Sequence, residues 1–403
     1  MCNWGFMRSS SMRSAAVAVS MALTASHLAG QNAYVQTNLV SGLSGVAAAT
    51  DANMINPWGI SSSATSPFWV SNAGTGTSTL YSGAGTVLSL VVAIPPPSGS
   101  MVSIPTGTVF NLTSIPPATP AFLVAGTPSR FLFSTIGGTI AAWDSGTTAI
   151  TEVDNSGSGA SYTGLALGAG SGGPLLYAPN FHAGTVDVFD GTFAPVTTDG
   201  GFRDWFLPKG YAPFGIMTEP NNNVIVTYAL QNATATSDVA GAGHGFVDEF
   251  DADGHLLRRL ISGGALDSPW GLAMAPATGF GNFSGALLVG NFGDGRINAY
   301  SLPTGGMDPD MPHLRASIRG EHEGGFSFFR EFRGATFIDT MRDPNGRPIT
   351  NLGLWGLRFG NGTENGGAAT SLYFAAGIPG SVGALSDIQK HGLFGVINVQ
   401  MTP

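Results

Sequence analysis

The chain has 403 residues, 43% hydrophobic and only 10% charged, with a formal net charge of -9. Lys209 and Lys390 are its only lysines, so it lacks the cationic stripe that displaces counterions from nucleic-acid phosphates, and nucleic acid is excluded as an expected partner. The same deficit opposes electrostatic docking to an anionic membrane.

In chain order, the first element is an export signal over residues 1–30. Arg8 and Arg13 supply the positive region, Ala15 to Ala25 a short apolar run, and small residues follow up to Gly30. The run is too short to span a bilayer comfortably, and no later apolar segment is long enough to anchor the chain. The expectation is a secreted, periplasmic or cell-envelope protein with no transmembrane anchor in its mature form. Cys2 is the only cysteine and lies in that leader, so residues 31–403 would hold no disulfide, thiol nucleophile or cysteine metal site.

The rest of the chain repeats. The 59 glycines and 25 prolines punctuate short apolar runs throughout, as in a protein of many strands and tight turns. A first strand with a glycine near its start recurs at Gly59, Gly107, Gly164, Gly215, Gly271 and Gly356. Four of the five intervals suit a four-stranded blade of about fifty residues. A second, buried strand follows each, as in Phe68-Trp69-Val70-Ser71-Asn72 and Leu287-Leu288-Val289-Gly290-Asn291. In the third strand a glycine precedes an aromatic residue by five positions: Gly76 and Tyr81, Gly138 and Trp143, Gly184 and Phe189, Gly245 and Phe250, Gly295 and Tyr300. Alternation fixes such an aromatic at one level in every blade. A following Asp or Ser is expected to cap the next turn.

The long fifth interval predicts an insertion at about 306–333 in blade five, with the delayed outer strand at Ala335 to Arg342. The sixth copy ends after three strands, and the unused run Tyr34 to Val40 can supply its fourth. The predicted fold is all-β: a six-bladed β-propeller closed by pairing the N-terminal strand with the last blade, which leaves no long free edge.

Several strings carry a resemblance. Asn56-Pro57-Trp58-Gly59-Ile60, Ser71 to Tyr81, Gly210-Tyr211-Ala212-Pro213-Phe214, Leu288 to Gly295 and His391-Gly392-Leu393-Phe394-Gly395 resemble a family of bacterial exported proteins, some with a C-terminal PEP-CTERM sorting tail. The resemblance covers nearly all of residues 32–399 and implies a propeller related to NHL-repeat proteins. It implies no established activity and no catalytic residues. The chain ends at Pro403 without such a tail.

Two constellations could carry function. Trp58, Trp270 and Trp355 recur on first strands, where they could form a stacking surface for a sugar or other flat ligand; the alternative is a packing layer between blades. His182, His244 and His391 fall in loops between second and third strands of different blades. Converging imidazoles there could hold a divalent metal and activate water; otherwise each bonds within its own loop. Asp251-Ala252-Asp253-Gly254 sits at a third-to-fourth-strand turn and reads as a hairpin rather than a calcium loop. The leading functional expectation is a binding or interaction module, non-catalytic, for an unknown small molecule, glycan or protein. The alternative is a metal-dependent lyase or lactone hydrolase on the propeller's loop face.

Overall fold

The structure is a computed structural model that describes residues 33–116, 118–303, 334–379 and 389–400. The leader (1–30) and the insertion (306–333) expected from sequence therefore lie outside the described residues. Among the described residues the only helical pieces are three 3-10 turns, and the rest of the regular structure is strand.

Six sheets account for the repeats. Blade one runs Pro57–Ser61, Phe68–Asn72, Thr77–Tyr81 and Val87–Ala93, and blade two Pro105–Phe110, Phe131–Thr135, Thr139–Trp143 and Ile150–Asp154. Blade three comprises Ala166–Gly170, Gly173–Asn180, Thr185–Asp190 and a two-residue outer strand, Pro195–Val196. Blade four comprises Tyr211–Thr218, Val224–Leu230, Phe246–Phe250 and Leu256–Ser262; blade five Pro269–Met274, Leu287–Asn291, Ile297–Ser301 and Thr336–Thr340. Blade six takes Leu354–Phe359, Leu372–Ala376 and Leu393–Gln400 from the end of the chain and Ala33–Ser41 from its beginning. The last two strands pair antiparallel, from Ala33 opposite Gln400 to Ser41 opposite Leu393. The first strand of each blade touches that of the next, and the sixth touches the first again. The protein is a six-bladed β-propeller.

The recurring first-strand glycine has a steric cause. A Cβ on Gly59 would stand 2.6 Å from the Thr106 carbonyl oxygen of blade two, and one on Gly356 2.5 Å from the Trp58 carbonyl oxygen of blade one. At Gly107, Gly215 and Gly271 a Cβ would run into the backbone of Leu165, Trp270 and Trp355, each on the next blade. At these five positions backbone-to-backbone approach on the axis leaves no room for a side chain; Gly164, just before the first strand of blade three, is the exception, where a Cβ would meet the Ile216 side chain at 3.3 Å and the Phe214 carbonyl oxygen at 3.6 Å.

The third-strand aromatics share a level, as their spacing predicts. Tyr81, Trp143, Phe189, Phe250 and Tyr300 stand opposite Phe68, Phe131, Leu176, Val224 and Leu287. Ile397 takes the same place in blade six, opposite Leu372. All six are buried, each worth roughly 1.5–3 kcal/mol of transfer energy. The expected caps form at Ser82, Asp190 and Asp251, whose side-chain oxygens accept from backbone amides two and four residues on. Asp251 to Gly254 is thus a hairpin turn, with Gly254 at φ +82°. Tyr34 fixes the closing strand: it is buried, its hydroxyl donates to the Phe280 carbonyl at 3.1 Å, and its ring stacks on Phe283 at 5.1 Å.

Candidate functional site

In each blade the residues entering the first strand and the loop after the second strand come to one end of the axis. They enclose a cavity of about 430 Å³, to which all six blades contribute. Its apolar wall includes Trp58 and Trp355 from first strands of blades one and six, Phe214 from blade four, and Phe181 and Phe292 from loops of blades three and five. Trp58 and Trp355 stack with centroids 3.5 Å apart at 16°, and Phe292 stacks on Trp355 at 4.0 Å and 22°. Trp270 meets both indoles edge-on, at 5.9 and 5.7 Å.

The three tryptophans differ in their polar ends. The Trp270 indole N–H donates to the Thr163 carbonyl at 2.8 Å, tying blade five to blade three. That of Trp355 donates to Asn56 Oδ1 at 3.0 Å. The Trp58 indole N–H is buried and has no partner among the described residues, and a buried donor left unpaired costs about 1–3 kcal/mol. Asn56 itself sits at φ +47°, immediately before Pro57; Ser268, before Pro269, repeats this at +46° in blade five. A non-glycine residue in this region stores about 1–3 kcal/mol of strain, and here it aims Asn56 at Trp355.

Polar groups rim the cavity: Ser161, Thr163, Thr236, Ser237, Asp238, Gln389 and Lys390. Burial raises the Asp238 carboxyl above its ordinary range; the Ser268 hydroxyl opposes that rise and the Asp267 carboxylate adds to it. Asp267 is raised too, chiefly by burial, against a hydrogen bond from the Gly241 amide.

Of the residues singled out from sequence, the structure brings Trp58, Trp270 and Trp355 into one cluster, with Trp58 and Trp355 on the cavity wall. It does not gather the histidines. The His182 Nδ1 bonds to the Ala235 carbonyl at 3.2 Å and the His244 Nδ1 to the Val239 carbonyl at 2.9 Å, while the His391 Nδ1 is buried without a partner. Among the described residues no group of three or more His, Cys, Asp or Glu side chains could hold a metal ion. The expected loops are right, but a shared loop face spans a whole ring, and these three stay in separate places on it.

Sequence reasoning missed Phe181, Phe214, Phe292 and the rim. A signal was available: the residue directly after the second strand lines the cavity in four blades, as Ala73, Ile136, Phe181 and Phe292.

Fold and cavity together define the class, a six-bladed β-propeller with an aromatic axial site. No family model matches the chain. It is similar to the uncharacterized protein R648 of Acanthamoeba polyphaga mimivirus, 31% identical over 272 residues, which is 65% of each chain. It is also similar to uncharacterized protein R640 of that virus, 30% identical over 181 residues, covering 43% of this chain and 33% of the relative. The chain thus spans less than two thirds of the length of these curated relatives. The soluble aldose sugar dehydrogenase of Escherichia coli superposes with a TM-score of 0.50 at 10% identity, covering 91% of this chain and 100% of that one, a likeness of fold alone.

The relatives correct the resemblance to bacterial exported proteins, because they are viral. Of the strings that suggested it, Asn56 to Ile60 carries the axial Trp58 and Gly59, and the others are strand and turn segments that every blade needs, so they report the architecture of the ring rather than one lineage.

Proposed function

We propose that the protein is an exported binding module whose axial cavity holds a flat, uncharged ring bearing hydroxyl or carbonyl groups, as a sugar does. The observation that carries this reading is the Trp58–Trp355 stack on the cavity wall together with the unpartnered Trp58 indole N–H. The aromatic wall suits a ligand with an apolar face, and a small opening of that wall on binding would let an acceptor at the ligand's edge pair the buried Trp58 indole N–H. The rim of hydroxyls and amides can serve the ligand's other polar groups, and its acid and base, Asp238 and Lys390, offset each other in charge. Export rests on the leader-like residues 1–30.

The three-histidine form of the metal-dependent lyase or lactonase alternative loses its support, since His182 bonds across to the Ala235 carbonyl of blade four, His244 bonds within its own loop, and the three form no metal-holding group among the described residues. The test is a titration of the purified chain with a panel of soluble mono- and disaccharides, followed by tryptophan fluorescence and calorimetry. At least one sugar should bind, and Trp58→Phe should weaken it about tenfold, the equivalent of one hydrogen bond of roughly 1.4 kcal/mol. Failure of every sugar to bind, or binding indifferent to Trp58→Phe, would overturn the reading.

A further inference from the structure

Blade three departs from the other five. Elsewhere an outer strand accompanies the third strand to its beginning: Ala93 opposite Thr77, Asp154 opposite Thr139, Ser262 opposite Phe246, and Ser41 opposite Leu393, with Thr340 opposite Asn298 in blade five. In blade three only Val188 and Phe189 are paired outward, to Val196 and Pro195. Among the described residues Thr185, Val186 and Asp187 have no outer neighbour, an edge about 10 Å long.

The chain leaves early because blade four captures it. The Gly200 and Phe202 amides donate to the Asp253 and Gly254 carbonyls, both at 3.0 Å. The Phe202 ring is buried between Tyr177 and Phe250, at 5.2 and 5.3 Å. Between this diverted segment and the bare edge lies a cavity of about 390 Å³. The backbone polarity of the edge follows from its register. The Asp190 amide donates outward to Ala194, and Val188 pairs outward with Val196; alternation then sends the N–H and C=O of Val186 the same way. Neither has a backbone partner among the described residues. On the cavity's wall the Thr198 hydroxyl is buried and also lacks a partner among the described residues.

We infer that this gap is a binding site for an extended segment of a partner polypeptide, which adds as the missing part of blade three's outer strand. The fold itself specifies the occupant, because in the five other blades a strand stands in the equivalent place. Main-chain hydrogen bonds to Val186 supply the attachment. Side chains set the preference: Val186, Val188 and Phe202 form an apolar wall toward blade four, while Asp187 and Asn155 face blade two, joined through the Tyr162 hydroxyl. An incoming strand should therefore alternate apolar and hydroxyl-bearing residues.

The probe is acetyl-Thr-Val-Thr-Val-amide, offered to the full chain at millimolar concentration, with amide hydrogen exchange read residue by residue. Exchange at Val186 should slow by about tenfold or more. The same peptide N-methylated at every residue and ended as the dimethylamide, which keeps its side chains but has no main-chain N–H to donate, should have no effect. No protection of Val186 by the first peptide, or equal protection by the second, would overturn the inference. Trp58→Phe should leave the protection unchanged, so this site and the axial cavity succeed or fail separately.

Discussion

Gly356→Ala tests whether axial contact explains the recurring glycine. The backbone there does not occupy the left-handed region, so alanine is conformationally allowed, and reduced freedom of the unfolded chain alone would stabilise by about 0.4–1 kcal/mol. Against this, the new methyl would stand 2.5 Å from the Trp58 carbonyl oxygen and 2.9 Å from Ile60 Cγ1. The first of these is backbone held in the ring and cannot swing aside. Overpacking of this kind costs about 1–3 kcal/mol, so the net effect should be a loss of about 1–2 kcal/mol. The unfolding entropy of about 2.1 cal/mol/K per residue sums to roughly 0.8 kcal/mol/K over the unit from Asn32 to Pro403. The melting temperature should accordingly fall by only about 1–3 °C, so urea unfolding is the better assay. Gly172→Ala is the control: nothing lies within 4 Å of its added methyl, and it should stabilise by about 0.4–1 kcal/mol. Gly356→Ala as stable as wild type, or both substitutions equally harmful, would refute axial crowding as the reason for the repeat.

Glu219 gives a pH signature. Burial, with the neighbouring Glu249 carboxylate adding, pushes its carboxyl up from 4.5 to about 7. The folded state therefore holds a proton that the unfolded chain releases, so the contribution of Glu219 to stability should be fullest below pH 4.5 and decline toward pH 7, no more steeply than about 1.4 kcal/mol per pH unit; Glu219→Gln should remove that contribution and make denaturation curves less pH-dependent across the window. Deleting residues 33–41 should uncover the edge of Leu393–Gln400 and produce concentration-dependent aggregation on size-exclusion chromatography; a stable monomer would contradict closure by this strand.

Much of the fold was legible because propeller blades are locally encoded. The five-residue step from Gly76 to Tyr81 fixes turn and register together, and its recurrence fixes the level of the aromatic layer. Closure was readable because the sixth repeat lacked one strand and the run Tyr34 to Val40, before blade one, had one to spare. The axial cavity was only half legible. Trp58, Trp270 and Trp355 could be named, but their stacking depends on blades one and six becoming neighbours when the ring closes, which brings together residues nearly three hundred positions apart. Phe292 joins them through a loop, and a loop's direction is set by the ring and not by its own residues.

Local chemistry thus determined six blades, their register and their closure, because period-two alternation and turn residues act over a few positions. Only the tertiary structure decided which side chains share the axis, that His182, His244 and His391 form no common group, and where blade three surrenders its outer strand to blade four. Those outcomes depend on distances between repeats, and a repeating sequence specifies each blade without specifying what faces it across the ring.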